Sequence, residues 1–91
     1  MSQVIKSGVP INKTSSAAIS VSGGSLLGWY VNNTTNGTII ICNGSTSAGT
    51  AVSGTITPAI GWHRFPAYLP SGCYATIGGA ALDVTFIFAA G

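Results

Sequence analysis

The chain has 91 residues, of which 46% are apolar and 4% charged: Lys6, Lys13, Arg64 and Asp83 are the only side chains ionised at neutral pH. One carboxylate and one histidine leave almost no parts for acid–base catalysis, and three scattered basic residues cannot form the Lys/Arg stripe that displaces counterions from nucleic acid. The composition therefore argues against an enzyme and against a nucleic-acid partner, and it directs attention to the surface itself.

Taken in order, the chain reads as strands separated by Gly and small polar residues at intervals of about 8–12. Residues 1–13 are expected to be an extended N-terminal arm, because Gly8 and Pro10 interrupt the segment Gln3 to Ile11. A single domain, 14–91, follows. In Thr14 to Ser22, Ala17, Ile19 and Val21 alternate with polar residues, the mark of a half-buried strand. Gly23-Gly24 then turns the chain into Leu26 to Asn32, where Leu27, Trp29 and Val31 are expected to share the core face. Asn36-Gly37 predicts a tight hairpin into Thr38 to Cys42, since both residues tolerate positive φ.

After a polar loop from Asn43 to Gly49, a strand is expected over Thr50 to Thr57, with Val52 and Ile56 on one face and Pro58 ending it. Trp62 to Leu69 is the most aromatic stretch. Pro66 within it and Pro70 after it demote it to an edge strand or structured loop. Cys73 to Ile77 and Leu82 to Ala89 complete a set of seven or eight strands, separated by Gly78-Gly79. No stretch carries a sustained 3.6-residue apolar period, so helix should be nearly absent. The fold class expected is all-β, an antiparallel β sandwich; jelly-roll and immunoglobulin-like windings both suit the turn spacing.

The mean hydropathy of +0.52 raises the question of a membrane, but a spanning helix needs about 20 consecutive apolar residues and every apolar run here is cut within a few positions. The first eight residues offer neither a basic start nor an apolar stretch of signal type. Synthesis in the cytosol and no membrane partner are the expectations. Ile39-Ile40-Ile41-Cys42 and Phe86-Ile87-Phe88 are apolar on both faces, which fits a strand whose outer face meets another subunit or one covered within its own fold. The low net charge of +2 leaves little repulsion between copies and favours a homo-oligomer.

Cys42, His63, Cys73 and Asp83 match no compact metal-ligand spacing, and no metal or other cofactor is expected. The two cysteines should be free buried thiols rather than a disulfide. Around His63 two readings stand side by side. Trp62, Arg64 and Phe65 form an aromatic and cationic patch that anchors a partner, or His63 is satisfied by a backbone group and Arg64 pairs with Asp83. Five N-x-S/T matches, such as Asn43-Gly44-Ser45, mark polar turns.

The segments Ser25-Leu26-Leu27-Gly28-Trp29-Tyr30-Val31-Asn32-Asn33, Gly54-Thr55-Ile56-Thr57-Pro58-Ala59, Gly61-Trp62-His63-Arg64-Phe65-Pro66 and Gly72-Cys73-Tyr74-Ala75-Thr76-Ile77-Gly78-Gly79, with Asp83-Val84-Thr85-Phe86, resemble small all-β virion proteins of tailed bacteriophages. The better understood of these are capsid decoration, or cement, proteins of jelly-roll or related sandwich fold. The resemblance implies a structural protein on the capsid exterior, assembled in the host cytoplasm. It would bridge subunits of the major capsid protein and associate with itself, with a trimer favoured. The arm would reach a neighbour through Val4, Ile5, Val9 and Ile11, a 12-residue extended segment spanning about 40 Å. Trp62, Arg64 and Phe65 would make the second contact. The alternative is a small tail, fibre or adaptor component that binds a receptor or glycan through exposed Trp62 and Tyr68.

Overall fold

The computed structural model describes residues 8–79 and 81–90, and every regular element in them is a strand. These are β1 (Val9–Lys13), β2 (Ala17–Ser20), β3 (Gly24–Thr35), β4 (Thr38–Asn43), β5 (Thr50–Ala51), β6 (Gly61–Leu69), β7 (Cys73–Gly78) and β8 (Ala81–Ala90). They form two four-stranded antiparallel sheets, ordered β1-β8-β3-β6 (sheet A) and β2-β7-β4-β5 (sheet B). The expected all-β sandwich is what the chain adopts.

The pairs are nested: β1 lies beside β8, β2 beside β7, β3 beside β6 and β4 beside β5. The contacts β3·β8 and β4·β7 knit the nested pairs into sheets. Consequently every connection except β4–β5 carries the chain from one sheet to the other. This corrects the hairpin expected at Asn36-Gly37. Asn36 does take the positive φ of 53°, but β3 belongs to sheet A and β4 to sheet B, so the turn is a corner between layers. Gly79, with φ of 83°, turns the second such corner against it: an added Cβ would overlap the carbonyl oxygen of Asn36.

Alternation along the strands delivers one apolar face per sheet to the shared interior. Leu26, Trp29 and Val31 of β3 with Leu82, Val84, Phe86 and Phe88 of β8 meet Ile39 and Ile41 of β4, Cys73 and Ala75 of β7 and Ile19 of β2. Each of the larger side chains contributes about 1.5–3 kcal/mol by leaving water. Leu26, not the expected Leu27, joins Trp29 and Val31. A bulge between Leu26 and Gly28 inserts one residue against β8 and shifts the alternation.

Two further expectations change. Val9–Lys13, assigned to the arm, pairs along its length with β8 as the edge strand of sheet A, and Ile11 packs on the core. Val4 and Ile5 lie outside the described residues. The strand expected over Thr50 to Thr57 is reduced to Thr50–Ala51 and a single bridge between Ile39 and Ile56. Between them the Ser53 hydroxyl accepts the Ile41 N–H at 2.9 Å in place of a backbone carbonyl. Pro66 sits in β6, at the edge of sheet A, where its missing N–H costs no ladder bond.

The strands apolar on both faces are largely covered within the subunit. β4 is interior to sheet B, with Ile39 and Ile41 fully buried and Ile40 half-buried. Ile87 is half-buried on the outer face of sheet A, opposite Pro10 and Gly28. Cys42 and Cys73 are free and buried. Cys42 pairs in register with Tyr74, the chain neighbour of Cys73, so the thiols lie on opposite faces of sheet B.

Candidate functional site

β6 alternates half-buried and exposed residues from Gly61 to Tyr68. Trp62, Arg64, Pro66 and Tyr68 consequently face solvent on sheet A, while Phe65 turns inward and stacks on Trp29 with ring centroids 5.1 Å apart. The expected patch of Trp62, Arg64 and Phe65 is thereby split, leaving Trp62 and Arg64 outside. Of the arm residues, Val9 is exposed and Ile11 faces the core.

His63 is satisfied by the backbone, its Nε2 lying 2.6 Å from the Ala59 carbonyl oxygen. Asp83 has other partners than Arg64. Its Oδ1 accepts the Asn12 side-chain N–H at 2.7 Å and that of Asn32 at 3.4 Å. Both amides also donate to Thr85 Oγ1, at 3.1 and 3.0 Å. Asn12 reaches Val84 O as well, at 3.2 Å. These four side chains come from β1, β3 and β8 and close into one hydrogen-bonded cluster on the outer face of sheet A.

That cluster and the exposed aromatics lie on the same face and in the same register. Asn12 is opposite Thr85, Thr85 opposite Tyr30, and Tyr30 opposite Trp62, a row crossing all four strands. At about 4.8 Å between strands, the row spans roughly 14 Å. Tyr30 is 47% and Trp62 50% exposed, on a face where outward positions are ordinarily polar. The benzo ring of Trp62 lies over Gly28: a Cβ there would stand 2.9 Å from Cη2 and 3.0 Å from Cζ2. The glycine leaves room for the indole to rest on the backbone.

Two shallow recesses flank this face. One of about 270 Å³ is lined by Thr14, Asn33, Ala81, Leu82 and Asp83. The other, about 330 Å³, lies at the β6 edge against Val52, Arg64, Phe65, Pro66 and Ala67. Among the described residues His, Cys, Asp and Glu form no group of three able to hold a metal ion. No helix among them is long and apolar enough to cross a membrane.

The Asn12, Asn32, Asp83 and Thr85 cluster carries no signal in the sequence, since Asn12 and Asp83 are 71 positions apart and meet only because β1 pairs with β8. Asp83 alone was conspicuous, as the only carboxylate. Compared with known proteins, the chain matches no family model, no curated protein and no solved structure.

Proposed function

We propose that this chain is a bacteriophage structural protein that decorates the capsid exterior, bridging major capsid subunits and associating with copies of itself as a homo-oligomer, a trimer being favoured. The observation that carries this reading is the exterior. Val9, Val21, Tyr30, Val52, Ile60, Trp62 and Tyr68 are all 45% or more exposed, while only Lys13, Arg64 and Asp83 bear charge among the described residues. A surface so apolar and so weakly charged gains by association, at about 25 cal/mol per Å² of apolar area covered.

The nesting of β1 with β8, β2 with β7, β3 with β6 and β4 with β5 supports it. We read this winding as a jelly roll, an architecture used by viral capsid and lectin domains. The resemblance of the sequence to small virion proteins points the same way. Attachment would use the edge and end residues Val9 and Val21 rather than the inward Phe65 and Ile11. Each additional 1.4 kcal/mol per contact favours the bound state tenfold.

Purified protein is to be added to expanded heads of a tailed phage from which the corresponding gene has been deleted, and the particles imaged by electron cryomicroscopy. The reading expects density repeated over the capsid lattice, and stabilisation of the heads against heat. Density confined to the tail, or none on the particle, would overturn it.

A further inference from the structure

We infer that the outer face of sheet A is a saccharide-binding site for neutral hexopyranose chains, independent of where on a particle the subunit sits. The site has an apolar half and a polar half on one sheet face, joined by one register row, and the chemistry of each is specific. Trp62 rests on Gly28 and stands half-exposed in register with Tyr30. An aromatic platform held in that way suits the C–H face of a pyranose ring, which is apolar and flat.

The polar half is a set of acceptors. The Nδ2 groups of Asn12 and Asn32 donate to Asp83 Oδ1 and Thr85 Oγ1. Among the described residues this leaves the two amide oxygens and Asp83 Oδ2 without donors. Three acceptor oxygens on one sheet face with an aromatic shelf call for a ligand with several hydroxyl donors and C–H groups on its face. A sugar has both.

The same features argue against other occupants. Covering the half-satisfied carboxylate with a dry protein surface would bury an uncompensated charge, which is costly. An anionic sugar would meet the Asp83 charge directly. The row length of roughly 14 Å accommodates a short oligosaccharide rather than a single ring. The surface is open and the contacts few, so an affinity of about 1 mM is expected.

The test is a nuclear magnetic resonance titration of the intact chain with neutral gluco-, manno- and galacto-configured trisaccharides. At least one should move the Trp62 indole N–H and the Asn12 and Asn32 amide signals in a saturable way. The indole of Trp29, buried in the core, should stay still and serves as internal control. W62A and D83N should each weaken binding at least tenfold while leaving the Trp29 signal in place. Absence of any shift would overturn the inference, as would equal shifts from calcium alone or undiminished binding by both variants. Occupancy of phage heads by D83N, a change that leaves the apolar exterior intact, should be normal, so failure of sugar binding and failure of decoration register separately.

Discussion

Trp29 and Phe65 stack across β3 and β6 at a 5.1 Å centroid separation and a 33° interplanar angle, with Phe86 meeting the same indole edge-on at 6.0 Å. This inner aromatic set fixes which residues of β6 look outward. F65A should therefore lower stability by about 2–3 kcal/mol, somewhat under the cost of truncating a fully buried Phe. W62A, three positions away in the same strand and on its opposite face, should change it by no more than about 0.5 kcal/mol. Urea unfolding of both variants checks the contrast.

Among the described residues the indole N–H of Trp29 has no hydrogen-bond partner, and it is buried. A buried unpaired donor costs free energy, so W29F removes a penalty along with some packing. Its loss should be small, about 1 kcal/mol, whereas W29A should lose about 3–5 kcal/mol. Emission from Trp29 in W62A should be blue-shifted, as for an indole in an apolar, dry setting.

The corner formed by Asn36 and Gly79 tolerates no side chain at position 79, where φ is 83° and a Cβ would overlap the Asn36 carbonyl oxygen. G79A should destabilise the fold by about 2–4 kcal/mol. N36G should be nearly neutral, and N36A should cost about 1 kcal/mol because Ala disfavours the left-handed region. Thermal melts of the three variants rank them.

Burial pushes the Cys73 thiol up from 9.0 to about 12, and the neighbouring Cys42 adds to the rise. The unfolded chain releases this proton near the ordinary thiol value, so between pH 9 and 12 the folded state holds more protons than the unfolded one. Stability contributed by this group is fully present below about pH 9 and falls as pH rises towards 12. Urea midpoints measured across that window should decline less steeply in C73A than in the parent. A thiol reagent at neutral pH should label neither cysteine until denaturant is added, because both are buried.

The interior of each strand was legible where alternation is unbroken. Val84, Phe86 and Phe88 are buried as the period of two requires, and Pro66 marks an edge strand because it has no N–H to give. Leu27 misled because a bulge is a cross-strand event: nothing near Leu27 in the chain records that β8 supplies one residue fewer there. Thr50 to Thr57 misled because a side-chain hydroxyl, from Ser53, took a bond that the ladder would have used.

The polar and aromatic row of sheet A was out of reach for the same reason. Its members were visible one by one, but Asn12, Tyr30, Trp62 and Thr85 become neighbours only through three strand pairings. Local periodicity and backbone preference were enough for the all-β class, for the places where the chain must turn and for the core face of strands whose alternation is unbroken. Tertiary structure decided which sheet each strand joins, that Asn36-Gly37 is a corner between layers, and which distant side chains share a face. Those outcomes depend on burial summed over both sheets, a quantity that no short window of residues contains.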